Sequence, residues 1–217
     1  MNHTALRRDV IDTALEMNRL GINHGKCGNV SVRVRGGFLI TPSDVSYERL
    51  RVKDVSLVSD AGEHLSGPLP STEWALHMSL LRLRKDSGAV VHAHPVYATA
   101  LSCMGLEIPA FHYRVATLGG DSIPCAEYAT FGTNGLALNV ARAMQGRSGC
   151  LMANHGIVAT GRTLHDALTG AEEIEKLAQV YWTCLQVGRP RYLPAAEMAT
   201  VLGKFGVHQR RPDGTGR

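Results

Sequence analysis

The run Ala89-Val90-Val91-His92-Ala93-His94-Pro95 constrains this chain more than any other stretch. Alternate side chains of an extended strand point the same way, so His92 and His94 emerge on one face, close enough to hold a single metal ion. Pro95 then turns the chain out of the sheet. A lone histidine in an apolar run is more often a hydrogen-bonded core residue. Two on one strand face fill a core poorly, because each ring nitrogen needs a partner. A third imidazole, His155, lies near the end of the short apolar run Leu151-Met152-Ala153-Asn154-His155-Gly156, read here as a strand that continues to Gly161. Three neutral imidazoles leave a zinc coordination position open, which separates a catalytic site from a structural one.

Glu73 supplies a carboxylate upstream, in Pro70-Ser71-Thr72-Glu73 ahead of a helical run from Trp74 to Leu83. It also has a structural reason to be there, since an acidic residue in the first turn of a helix gains about 0.3 to 1 kcal/mol from the helix dipole. Elsewhere, Leu6, Val10, Ala14 and Met17 recur at helical spacing before Gly21. A glycine-rich turn, Gly25 to Gly28, runs into alternating residues up to Val34, and Gly36-Gly37 leads to a second strand that Pro42-Ser43-Asp44 breaks. Further helices are expected after Pro95 to Cys103 and over about Asn134 to Met144. The last is long: Thr163 with Asp166 forms a capping box, and an apolar stripe follows from Leu164 to Leu185 before Gly188.

With 217 residues and no Pro/Ser-rich or charged linker, the chain reads as one domain over residues 1–205 with a flexible tail at 206–217. No apolar run approaches the roughly 20 residues that span a bilayer, and no secretory signal core is visible, so a cytoplasmic protein without membrane partners is expected. The five cysteines are odd in number, widely spaced and without a C-x-x-C pair, which argues against disulfides or cysteine-ligated zinc. A net charge of +4 and 6% aromatics supply no basic, stacking surface for nucleic acid. The segments around Gly28-Asn29, Ser43 and Ser71-Thr72 are small, hydroxyl-bearing or glycine-rich; each could cradle a phosphate with backbone N–H groups, or simply be a turn.

The blocks G-N-V-S-V-R, G-F-L-I-T-P-S, P-S-T-E-W-A-L-H, V-V-H-A-H, S-I-P-C-A-E-Y-A-T-F-G-T and N-H-G-I-V-A-T-G, in this order from about Leu6 to Leu185, resemble the class II aldolase/adducin family, and its fuculose-phosphate aldolase branch most closely. The resemblance implies an α/β fold, a central mainly antiparallel sheet flanked by helices, in homotetramers with active sites at subunit interfaces. It implies one Zn2+ per subunit on His92, His94 and His155, with Glu73 as an acid/base that can also sit on the metal. Gly28, Asn29, Ser43, Ser71 and Thr72 would line a phosphate pocket, Phe131 would shape the aldehyde side, and Tyr113 would reach a neighbouring subunit's site as proton donor. The implied reaction is retro-aldol cleavage of a sugar phosphate to dihydroxyacetone phosphate and an aldehyde.

Two departures bear on the substrate. Asp44 stands where phosphate-binding members usually carry glycine, and a carboxylate about 5 Å from a phosphate costs roughly 3 kcal/mol per unit of phosphate charge at an effective dielectric near 20. Asp44 therefore either points outward as a turn residue or receives a hydroxyl or cationic group of an unphosphorylated sugar. The aromatic cluster that closes the site in the aldolases is also missing from the C-terminal stretch, where only Tyr192 or Phe205 could substitute. A 3-oxo acid or 3-oxo-tetronate phosphate decarboxylase, a sugar-phosphate epimerase or a dehydratase would use the same metal. A non-catalytic, adducin-like scaffold would have lost the three histidines.

Overall fold

The computed structural model describes residues 3–209. Helix α1 (Thr4–Arg19) buries Val10, Ala14 and Met17 of the expected stripe together with Ile11, while Leu6 is half-buried. The hairpin β1 (Asn29–Val34) and β2 (Gly37–Ile40) follows, then β3 (Ser56–Ser59) and β4 (His64–Ser66). Helix α2 (Trp74–Leu83), strand β5 (Ala89–Ala93) and helix α3 (Val96–Cys103) fall where the sequence places them. A 3-10 segment (Tyr113–Leu118), β6 (Cys125–Ala126) and α4 (Asn134–Ala143) precede the hairpin β7 (Gly149–Met152) and β8 (Gly156–Gly161). Helix α5 (Leu164–Val187) opens on the Thr163/Asp166 capping box, in which Thr163 Oγ1 accepts from the Asp166 N–H and Asp166 from the Thr163 N–H.

The eight strands form one sheet in the order β4-β3-β2-β1-β5-β8-β7-β6, antiparallel throughout except for the β6–β7 pair. The central mainly antiparallel sheet flanked by helices is thus as expected. Val30, Val32, Ala89, Val91 and Ala93 face one core with α1, α3 and α5; Val90 and Val158 face a second with Leu76, Leu80, Leu136 and Val140 of α2 and α4. Alternation along the strands then puts Asn29 and Ser31 of β1 and His92 of β5 on the α2 side. Register sets Asn29 directly opposite His92.

Two expectations change. His155 does not lie in a continuous strand: residues 153–155 form the tight turn between β7 and β8, with Asn154 at φ 54° and the His155 N–H donating to Met152 O at 3.0 Å. A short polar side chain can hold that left-handed conformation. Residues 206–209, expected in a flexible tail, instead belong to helix α6 (Ala195–Gln209), which buries Met198 and Val201; residues 210–217 of that expectation lie outside the described residues.

Candidate metal centre

His92 is the penultimate residue of the wholly buried β5, His94 follows one residue past the strand, and His155 occupies the β7–β8 turn beside them. Their rings are 4.6 to 5.1 Å apart centre to centre, and one ligand atom from each lies within 4.8 Å of the others. Two glycines permit this crowding. A side chain on Gly156 would place its first carbon 2.6 Å from His94 Cδ2, and one on Gly28 would stand 2.5 Å from His92 O. Gly28 also sits at φ 71°, where glycine alone is unstrained.

Glu73 is the residue at the mouth of α2, but its side chain makes no capping hydrogen bond. It turns inward instead, with Oε2 3.0 Å from His92 Nε2 and Oε1 3.4 Å from His155 Nε2. The helix-dipole reading is therefore insufficient for it. His92 Nδ1 donates to Ile157 O at 2.7 Å, which turns Nε2 to the carboxylate, where the neutral ring offers a lone pair to a metal. His92 Nε2, His94 Nε2 and Glu73 Oε1 are all buried without a hydrogen-bond partner. Buried acceptors gathered this closely, with no donor between them, fit a divalent cation.

The titration behaviour of His94 and His155 agrees, whereas for His92 burial is outweighed by the Glu73 carboxylate, which raises it, so a cation at Nε2 would displace a proton. Burial first, then neighbouring His92 and His155, pushes His94 down to about 3, and burial with His92 pushes His155 down to about 4, so both are neutral ligands near pH 7. Burial alone would raise Glu73, but His92, His155 and the Asn29 amide outweigh it and hold the carboxyl well below the usual carboxylate range.

The cleft in front of these groups is lined by Glu73, His94, Asn154, His155, Tyr128, Ala129 and Phe131. The three glycine- and hydroxyl-bearing segments also converge. Ser43 N–H donates to Leu69 O and Ser43 Oγ to Pro70 O, each at 3.0 Å, while Ser71 N–H donates to Thr41 O at 3.1 Å. Ser71 Oγ accepts from the Glu73 N–H, and Thr72 is exposed beside Gly132. The buried Tyr47 hydroxyl lies 2.9 Å from Cys27 O and 2.8 Å from Gly28 O, tying down the Gly28 turn. Asp44 points outward and pairs with Lys26.

Tyr113 does not line this cleft. It stands half-exposed over α6, its ring parallel to Phe205 at 6.4 Å, in an apolar groove with Phe111, Leu193 and Val201. Tyr192 meets the Tyr181 hydroxyl at 3.5 Å. Sequence reasoning missed Ser31 and His77, which back Glu73 through Asn29. The usable signal was His77 itself, four residues beyond Glu73 and so on the same side of the helix.

The model of the Class II Aldolase and Adducin N-terminal domain matches residues 8–182. The chain belongs to the class II aldolase/adducin family. Within this family it is 49% identical to a 5-methylthioribulose-1-phosphate/5-deoxyribulose-1-phosphate aldolase of Rhodospirillum rubrum over 94% of its own length and 92% of the relative's. It is 46% identical to the L-fuculose phosphate aldolase of Escherichia coli over 97% and 99%. Among solved structures, an L-fuculose 1-phosphate aldolase superposes with a TM-score of 0.90 at 36% identity, covering 94% of this chain and 97% of that one. The class II aldolase fold is therefore common to chain and relatives, and the three histidines form its candidate metal site here.

Proposed function

We propose that this protein is a zinc-dependent aldolase that cleaves a ketose 1-phosphate between C3 and C4 into dihydroxyacetone phosphate and an aldehyde. As a class II aldolase, it is an enzyme of the carbon–carbon lyase kind. The observation that carries the reading is the set of buried, unpartnered acceptor atoms on His92, His94 and Glu73. His92, His94 and His155 would hold the zinc, which, when bound, supplies Lewis-acid withdrawal of electrons from substrate oxygens.

The chain's own groups do the rest. Glu73 begins ionised, takes the proton that a substrate hydroxyl releases, and returns it to C3, which keeps the electron pair of the broken C3–C4 bond. C4 leaves as the aldehyde carbon. Gly28, Asn29, Ser43, Ser71 and Thr72 hold the phosphate from three adjoining segments. Tyr128, Ala129 and Phe131 give the cleft an apolar rim, which suits an aldehyde with an apolar end, as in the deoxy and methylthio ketose phosphates of the relatives' names. In a homotetramer with interface sites, Tyr113 of a neighbouring copy would be the proton donor that passes the proton destined for C3 to Glu73, regaining one from the substrate hydroxyl. No described helix is long and apolar enough to cross a membrane; we place the enzyme in the cytoplasm, acting on small sugar phosphates.

The test is a substrate panel for the purified, zinc-loaded protein: fuculose 1-phosphate, 5-deoxyribulose 1-phosphate, 5-methylthioribulose 1-phosphate, their dephosphorylated forms and 3-oxo-tetronate phosphate. Release of aldehyde and dihydroxyacetone phosphate from a phosphorylated ketose is expected. Carbon dioxide as the sole product would end the aldolase reading, and metal analysis without a divalent ion would favour a scaffold.

A further inference from the structure

Behind the metal centre a row of buried polar groups leads away from Glu73. Ser31 Oγ lies 2.7 Å from His77 Nδ1, His77 Nε2 meets Asn29 Oδ1, and Asn29 Nδ2 lies 3.0 Å from Glu73 Oε2. Ser31 and His77 are wholly buried, and Asn29 almost so. The row joins three elements, because register brings Asn29 and Ser31 of β1 beside β5 while His77 descends from α2.

The direction of every hydrogen in the row follows from its end. An ionised carboxylate can only accept, so Asn29 must turn its NH2 group to Glu73 and its carbonyl oxygen to His77. That oxygen also only accepts, so His77 carries its hydrogen on Nε2. Burial keeps the ring neutral, so Nδ1 is a bare acceptor and the Ser31 hydroxyl donates to it. Three donors in series thus point at one carboxylate oxygen.

We propose that His77 is a positioning residue for the reaction: by donating from Nε2 to Asn29, it locks the Asn29 amide onto Glu73 Oε2 and leaves Oε1 as the oxygen that handles the proton. A flipped amide would set its NH2 against the His77 N–H and its carbonyl against the carboxylate, two like contacts in a buried site. Oε1, by contrast, is buried, unpartnered and aimed toward His155. This assignment rests on the aldolase reading for its reaction, while the hydrogen positions stand on their own.

Two measurements test it. In 15N NMR of the zinc-loaded protein, His77 should show a protonated Nε2 and an unprotonated Nδ1. For activity, His77→Gln keeps an amide N–H near the place of Nε2, whereas His77→Asn keeps one only near Nδ1. His77→Asn should lose kcat by about 10- to 100-fold with KM and bound zinc little changed, as is typical when a partner behind a metal site is removed. His77→Gln should retain most of the turnover. A purely structural need for a polar side chain would lower both variants alike, and equal turnover in the two overturns the proposal. So does a wild-type spectrum with hydrogen on Nδ1 or on both nitrogens, which decides the matter even if neither variant folds. Failure of wild-type protein to cleave any ketose phosphate would strike the aldolase reading instead, leaving the NMR result to judge the hydrogen-bonded row.

Discussion

Lys26 Nζ lies 2.6 Å from Asp44 Oδ1, joining the Gly25–Gly28 turn to the Pro42–Asp44 turn, two of the segments proposed to hold the phosphate. Asp44 adopts φ 60°, a left-handed conformation in which glycine is the usual residue and aspartate one of the few tolerated alternatives. Its side chain is 86% exposed, so the carboxylate leans into solvent and is matched by a lysine. If the proposed phosphate pocket lies here, this lysine offsets part of the repulsion expected from the sequence.

That pairing makes Lys26, more than Asp44, the sensitive position. Lys26→Ala leaves the carboxylate uncompensated and should raise KM for a phosphorylated ketose roughly three- to tenfold at low salt, with the effect shrinking at high salt as surface charge is screened. Adding Asp44→Gly to the same chain should restore KM, because the offending charge is gone and the backbone conformation suits glycine. Steady-state kinetics on the two variants would reveal it; an unchanged KM in Lys26→Ala would detach this ion pair from substrate binding.

Glu73→Gln keeps the shape of the side chain and removes its basicity. Zinc content should persist, since three imidazoles remain, while exchange of the carbon-bound proton on dihydroxyacetone phosphate with solvent falls about 100- to 10,000-fold, the usual range for a positioned acid/base. Exchange at the wild-type rate would take Glu73 out of that role.

The parts of this centre that share one local period were legible in the sequence. His92 and His94 follow from the two-residue repeat of a strand, whereas the place of Glu73 at the opening of α2 suggested a helix cap, and only the family resemblance marked it as an acid/base. The Ser31–His77–Asn29 row was not legible, because it depends on the Asn29-to-His92 register, a long-range pairing that no window of sequence displays. His155 was read in a strand because the apolar residues on both sides of Ala153-Asn154 mask a turn held by one residue at positive φ. Helix α6 was read only as chain approaching a tail, since Gly203 and Gly206 lower its intrinsic propensity; packing of Met198 and Val201 outweighs that cost.

Metal should be coupled to stability as well as to turnover. His94 is only partly buried, so His94→Ala removes a ligand with little damage to the core. Loss of a direct ligand should exceed the 10- to 100-fold typical of removing its supporting partners, so activity should fall by more than about 100-fold with zinc reduced well below one per chain. A chelator should lower the Tm of wild-type protein, because an ion that binds only the folded form stabilises it by mass action, and should leave the variant's Tm unmoved. Equal sensitivity of the two proteins would place the ion elsewhere.

His77 gives a pH signature that can be worked out in sign. Burial, reinforced by His92, pushes its pKa down to about 3 from an ordinary 6.5. Between those values the unfolded chain has taken up a proton that the folded protein refuses, so folding stability falls as pH drops below 6.5 and levels off only near 3. His77→Gln has no such group. Denaturant unfolding of the metal-free proteins at pH about 7.5 and about 4.5 should therefore find the wild-type advantage over the variant about 2 to 3 kcal/mol smaller at the lower pH. Contributions from His94 and His155 act in both proteins and cancel in that difference. An advantage that stays constant across the interval would mean that the folded protein admits the proton at His77, which is incompatible with a neutral ring donating from Nε2 to Asn29.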